Sequence, residues 1–193
     1  MSIVNKLECV FGKIIVSVNR VNRHFVQAYQ KSKFSRIGKS VYIGKNGIFT
    51  YQNIEIGTDV YIGANAVFQS SYGKIIIGDH VMFGPGVHIH GGNHKIRELG
   101  CYMKDVSPKS QGDDGIVTIE ADCWIGSNAM ILANVTIGRG SVIGANSVVT
   151  KDVPPYSIYT GSPQQRTKPR FSEEELAMHK ELLRQKYADE KQI

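Results

Sequence analysis

A mainly β fold, built as a triangular prism of short stacked strands, is what this 193-residue sequence predicts. Three observations carry the prediction. From Ile119 onward an aliphatic residue recurs every six positions without a phase error, at Ile119, Ile125, Ile131, Ile137, Ile143 and Val149. A small or β-branched residue falls four positions after each, at Cys123, Ala129, Val135, Ser141, Ser147 and Val153. The same register returns at Ile37 and Ile43, at Ile56 and Ile62, and at Ile77, Phe83 and Ile89, in a chain holding 20 Gly against one Trp, which points to many tight corners. A six-residue period matches neither the 3.6-residue helix nor two-residue strand alternation. It matches a short strand followed by a corner, with one aliphatic residue per face turned inward. Three faces complete a coil, and coils stacked about 4.8 Å apart bury an aliphatic ladder. A β-sandwich with regular turns does not keep phase through six consecutive hexads.

Residues 1–36 come first, as a basic amphipathic helical segment. Val4, Leu7, Phe11, Ile14, Val18, Val21 and Phe25 alternate in steps of three and four, the seam of a helix. Gly12 and the β-branched residues on that stripe lower its intrinsic helicity, so it needs a partner surface. The net charge of +6 belongs to this segment, where seven Lys and Arg face Glu8 alone; the rest of the chain is balanced. A nucleic-acid-binding body is thereby excluded, since that needs cations spread along a groove or face. Two roles remain for the segment: packing on the prism or a neighbouring subunit, or peripheral contact of residues 1–33 with anionic lipid.

Residues 37–171 form the prism, interrupted near 49–55, 69–76 and 90–118. Residues 172–193 form a C-terminal helix: Ser172 followed by Glu175 is a capping box, with Glu173 and Glu174 also favourable in the first turn. Leu176, Leu183 and Tyr187 would dock it. A composition of 41% hydrophobic and 21% charged residues excludes a long disordered chain. The three Cys, at 9, 101 and 123, form neither a disulfide framework nor a zinc knuckle, which suits a reducing cytoplasm. No apolar run reaches the roughly 20 residues that span a bilayer, and no signal-peptide cleavage site is expected.

The repeats over roughly 37–171 resemble those of the hexapeptide-repeat acyltransferases. The stretch Cys123-Trp124-Ile125-Gly126-Ser127, the run from Ile143-Gly144-Ala145-Asn146 to Val153-Pro154-Pro155, and Gly161-Ser162-Pro163 are similar to the maltose, galactoside and xenobiotic acetyltransferase branch. The resemblance implies a left-handed parallel β-helix, a homotrimer, and acyl-CoA bound between subunits, with no metal. Zinc held by His88, His90 and His94, as in carbonic anhydrases on the same prism, is disfavoured because that family's arginine, aspartate and glutamine pattern is not apparent.

Acetyl transfer from a thioester to a hydroxyl needs a base that works near neutral pH, and imidazole suits that task. Gly92-Asn93-His94-Lys95-Ile96-Arg97 resembles the segment that carries the family's catalytic histidine, and the match falls on His94. Ser127 matches the position credited with oxyanion stabilisation. Trp124 resembles the tryptophan beside the cofactor or acceptor. Gly126, Gly144 and Ala145 match turns that follow the pantetheine arm, while Lys151, Arg166 and Lys168 supply cations for the anionic end of acetyl-CoA. The chain departs from the family at Gly161-Ser162-Pro163-Gln164, where Gly-Asn-Pro-Ala is frequent. Glu98 or a loop aspartate would orient the imidazole, and neither Cys101 nor Cys123 has a recognisable base. Tyr51, Gln52, Gln69, Ser70 and Tyr72 lie in the earlier interruptions, and Gln69, Tyr72 and Asn93 are taken as acceptor contacts. His88 and His90 flank an inward aliphatic residue, His80 fits a corner, and His24 and His179 are expected in solvent on the terminal helices. The expected function is O-acetylation of a saccharide hydroxyl, as in surface polysaccharide assembly. A streptogramin-type drug hydroxyl, or a β-helix scaffold without catalysis, are the alternatives.

Overall fold

A computed structural model describes residues 25–95, 106, 113–161, 165–169 and 171–186. Its strands wind into three parallel sheets, one per face of a prism. Face I holds β1 (Arg36–Ile37), β4 (Ile54–Ile56), β7 (Lys74–Ile77), β10 (Ile116–Ile119) and β13 (Thr136–Ile137). Face II holds β2 (Tyr42–Ile43), β5 (Tyr61–Ile62), β8 (Met82–Phe83), β11 (Trp124–Ile125), β14 (Val142–Ile143) and β16 (Ser157–Gly161). Face III holds β3 (Ile48–Phe49), β6 (Val67–Gln69), β9 (His88–His90), β12 (Met130–Ile131) and β15 (Val148–Val149). The last strand, β17 (Gln165–Pro169), folds back antiparallel on β16. The mainly β prism that the six-residue period predicts is therefore present.

Each hexad contributes two inward residues. Ile119, Ile125, Ile131, Ile137, Ile143 and Val149 are buried, and so are Cys123, Ala129, Val135, Ser141, Ser147 and Val153. Register explains why the ladder is continuous: Ile56, Ile77, Ile119 and Ile137 stand over one another on face I. Burying one such side chain favours the fold by about 1.5–3 kcal/mol.

The corners are made by left-handed residues, and most are Asn or Asp. Positive φ occurs at Ser40, Asp59, His80 and Asp122 between faces I and II, and at Asn46, Asn65, Asn128 and Asn146 between faces II and III. Asn and Asp tolerate this region because their short polar side chains bond locally, whereas a branched side chain there is strained. His80 takes such a corner, as its sequence position suggests, and its Nδ1 lies 3.0 Å from Asp59 Oδ2 on the preceding coil.

A stack of coils must be closed at both ends, because its terminal strands carry unpaired backbone groups. At the first coil, Gln27 of α1 (25–31) donates from Nε2 to the Ile43 carbonyl at 2.8 Å. Phe34 then plugs the opening, its ring 5.5 Å from Phe49 and 4.9 Å from Tyr51. Tyr51, in the first interruption, is thus part of an aromatic plug. Of the basic residues in the first segment, Arg36 pairs with Glu55 at 3.2 Å and Lys33 sits 4.3 Å over the Tyr29 ring. Residues 1–24, with His24 and most of the amphipathic seam, lie outside the described residues.

At the far end α2 (Glu173–Lys186) docks beside the corner between faces I and II. The capping box forms as expected: Ser172 N donates to Glu175 Oε2 at 2.8 Å, and Glu175 N donates to Ser172 Oγ at 3.2 Å. His179 is not the solvated residue expected. Its ring lies 4.7 Å from Phe171 and 6.2 Å from Tyr156, and its Nε2 is 3.9 Å from Asp122 Oδ2. Leu176 is half-buried, while Tyr187 and the side chain of Leu183 fall outside the described residues. No helix among the described residues is long and apolar enough to cross a membrane.

Two outcomes follow from this packing. Asn146→Val forces a branched side chain into a corner with φ of 56° and should cost about 1–2 kcal/mol in urea unfolding, whereas Asn146→Gly should stay within a few tenths. Burial pushes the Cys123 thiol up to about 12 from 9.0. The unfolded chain releases that proton above pH 9 and the folded chain does not, so stability should fall as pH rises from 9 toward 12. With Cys9 and Cys101 replaced by Ser, an aromatic disulfide reagent at pH 8 should label Cys123 only at the rate of unfolding; fast labelling of folded protein would show the thiol to be accessible.

Candidate functional site

All three interruptions of the hexad pattern leave the prism at one edge, between faces III and I. They join β3 to β4, β6 to β7, and β9 to β10. Among the described residues only the link from β12 to β13 makes that corner as a tight turn with a left-handed residue, Asn134. Extruding every insertion at the same edge leaves the register of the other two corners untouched, which is why the pattern resumes in phase after each.

The inserted loops brace one another. Asn53 Nδ2 donates to the carbonyls of Ser70 and Ser71, both at 2.8 Å, and Ser70 N donates to Thr50 Oγ1 at 2.9 Å. Gly91 N donates to Gln69 O and Gly115 N to Gly91 O, each at 2.7 Å. Gly92 and Asp114 form an antiparallel bridge, which closes the base of the long loop as a hairpin. The Asp114 carboxylate is buried and accepts from Ser71 N at 2.9 Å and Tyr72 N at 3.0 Å. Two residues beyond the bridge is His94, exposed like Asn93 before it. Lys95 and Asp113 pair across the hairpin at 3.3 Å. Gln69 and Tyr72 are exposed at the same edge as Asn93 and His94.

His88 and His90 point outward from face III on either side of buried Ile89, their rings 5.7 Å apart. Burial, and secondarily the neighbouring His88, hold the His90 imidazole below its usual range. Among the described residues no group of three or more His, Cys, Asp or Glu is placed to hold a metal ion. Sequence reasoning missed Asn53 and the anchoring part of Asp114. Of the residues expected to orient the imidazole, Glu98 lies outside the described residues, Asp113 pairs with Lys95, and Asp114 accepts from the Ser71 and Tyr72 amides.

The other candidate residues gather at the corner between faces II and III. Trp124 stands half exposed on face II, aligned with Met82 above and Val142 below. Behind it Gly126 and Ser127 turn the corner. A Cβ on Gly84 would lie 2.6 Å from Ser127 N, and one on Gly126 would meet the Ala145 backbone nitrogen, so consecutive coils touch backbone to backbone. Trp124, Gly126, Ser127, Gly144 and Ala145 therefore form one column. It continues through Thr160, whose Cγ2 faces Gly144, to β17, where Arg166 stands opposite Thr160 and Lys168 opposite Ile158. A slim track of Gly and Ala turns leading toward basic positions fits an extended chain with an anionic end. Lys151 does not belong to this column. It follows β15, at the edge between faces III and I.

His94 and Ser127 belong to different edges of the prism. They lie on the two edges that flank face III, and crossing that face takes about five residues, roughly 15 Å. Gly92 is pinned at one edge, and two residues reach at most about 7 Å.

Residues 36–68 match the family described as hexapeptide repeat of succinyl-transferase, and 116–151 match bacterial transferase hexapeptide (six repeats). A chloramphenicol acetyltransferase of Morganella morganii is 40% identical over 121 residues, covering 56% of this chain and 58% of that protein. A galactoside O-acetyltransferase of Lactococcus lactis is 34% identical over 145 residues, 69% of this chain and 62% of the relative. The matches thus span less than two thirds of these curated relatives. A hexapeptide-repeat acetyltransferase of Vibrio cholerae, crystallised with acetyl coenzyme A, superposes with a TM-score of 0.63 at 32% identity, covering 73% of each chain. With its three-faced prism, left-handed corners and insertions at a single edge, this chain belongs to the hexapeptide-repeat acetyltransferases of left-handed β-helix fold.

Proposed function

We propose that this chain is an acetyl-CoA-dependent O-acetyltransferase for a saccharide hydroxyl, working as a homotrimer whose sites form between copies. The observation that carries the reading is the placement of His94 and the Trp124–Ser127 column on opposite edges of face III. Around a threefold axis faced by face III, the edge of one copy lies beside the corner of the next, so the two halves meet only in the assembly. Half-exposed Val148 and exposed Ile48 on that face support such burial.

The thioester of acetyl-CoA supplies an activated acetyl group. His94 takes the proton of the acceptor hydroxyl as that oxygen attacks the carbonyl, and returns it to the departing sulfur. Ser127 of the partner subunit donates to the carbonyl oxygen as charge gathers there. The backbone turns at Gly126, Gly144 and Ala145 border the narrow arm, Trp124 flanks it, and Arg166 and Lys168 attract the phosphates, with Lys151 contributing from the neighbouring edge. Gln69, Tyr72 and Asn93 hold the acceptor. No nucleophilic cysteine is required, and the high Cys123 pKa supports direct transfer. A saccharide of surface polysaccharide assembly, met in the cytoplasm or at the inner membrane face, suits the polar and aromatic edge. The 40% identity to a chloramphenicol acetyltransferase supports a second reading with a drug hydroxyl as acceptor.

Thiol release measured across sugars, nucleotide sugars and chloramphenicol should find a saturable acceptor. His94→Ala should then lower turnover by about 10²–10⁴-fold while leaving trimerisation and acetyl-CoA binding intact. Mixing His94→Ala with Ser127→Ala chains, each weak alone, should restore a fraction of activity, because some sites then combine an intact His94 with an intact Ser127. Full turnover by His94→Ala removes the base assignment, and absence of restoration removes the shared site. Lack of saturable acetyl-CoA binding by calorimetry would favour a scaffold.

A further inference from the structure

We infer that Asp114 is a positioning residue of the acceptor site: its buried carboxylate sets the spacing between the Tyr72 loop and the hairpin that carries His94. The inference rests on the reading above and names a group which that reading does not use. Ser71 and Tyr72 lie between β6 and β7, one coil before the long loop, and their amides have no hexad partner at a corner the chain does not turn regularly. Asp114 accepts from both, at 2.9 and 3.0 Å, through a single oxygen, Oδ2. Its other oxygen, Oδ1, faces Gly92, where a Cβ would collide with it, so the carboxylate also packs on the strand that leads into Asn93 and His94.

One side chain thus contacts the loop bearing the exposed Tyr72 ring and the stem of the hairpin two residues before His94. Asn53 holds the same loop from the opposite side through the Ser70 and Ser71 carbonyls, so the segment is gripped at its amides and its carbonyls alike. Amides donating to an ionised carboxylate bind it more strongly than they bind a neutral carbonyl. A displacement of about 1 Å in such a support is enough to cost catalysis without unfolding anything. The carboxylate belongs to a buried residue. Its effect runs through Tyr72 and His94.

Asp114→Asn keeps the shape and one acceptor oxygen but removes the charge, so the two amides lose an ionised acceptor. With acetyl-CoA as donor and the acceptor that wild type turns over, the variant should raise acceptor KM about ten-fold and leave acetyl-CoA KM and the trimer unchanged. Hydrogen exchange should accelerate at Ser71 and Tyr72 and not in β10. Adding Tyr72→Ala to Asp114→Asn should raise acceptor KM by less than the product of the two single effects, since both act in part through the Tyr72 loop. Unchanged acceptor KM, an equal rise in both KM values, or additive effects of the two substitutions would each overturn the positioning role. Should His94→Ala lose turnover as expected while Asp114→Asn leaves acceptor KM alone, the positioning inference fails and the enzyme reading stands. Should no acceptor be turned over, the enzyme reading fails and the role of Asp114 fails with it, even where exchange shows the grip on the loop.

Discussion

Backbone contact between coils is the constraint on which the rest of the molecule depends. Each coil hydrogen-bonds to the next through parallel strands of two to five residues, too short to be stable alone. They hold because each adds an inward aliphatic side chain to a ladder that runs the length of the prism. Coils this close leave no space for a side chain at several turns: a Cβ on Gly126, Gly84 or Gly138 would meet the backbone of the adjacent coil. Many corner residues also take positive φ, which favours Asn, Asp and Gly, with Ser40, His80 and Tyr156 the other residues that adopt it among the described residues. Together these demands fix the chain to six residues per face. Any extra length has to leave at a corner, and here every insertion leaves at the same one.

This arithmetic made most of the fold legible. Six residues advance one face and eighteen return to the same face one coil on, as Trp124 over Val142 and Ile125 over Ile143 show. The same count places Ala145 beneath Ser127, and it places Lys151, six residues after Ala145, at the next corner. That separation was available from the sequence.

What could not be read from the sequence are contacts between residues with no periodic relation. Asp114 meets Ser71 and Tyr72 across 43 and 42 positions, and Asn53 meets Ser70 across 17, with no repeat linking the partners. Tyr51 lies in the first interruption, yet among the described residues no coil precedes the first one, and its open core draws Phe34, Phe49 and Tyr51 into a plug. His179 was assigned to solvent on the pattern of its own helix, which says nothing about the surface the helix meets. Local chemistry was legible at the capping box because its two partners are three residues apart.

The same constraint bears on how such a protein can select its acceptor. Faces and regular corners have no slack: an added residue would shift the inward pattern and turn aliphatic side chains toward water. The edge between faces III and I is under no such restriction, and there the chain places Gln69, Tyr72, Asn93 and His94 on loops braced by side-chain hydrogen bonds. Under the proposed reading, the reactive thioester is held by the invariant geometry of stacked turns and the acceptor by the variable edge of a neighbouring copy. Acceptor identity can then change through loop length and composition while the donor track stays fixed. Under the same reading the buried Asp114 carboxylate, which accepts from the Ser71 and Tyr72 amides, is the anchor that keeps these side chains in register with the base.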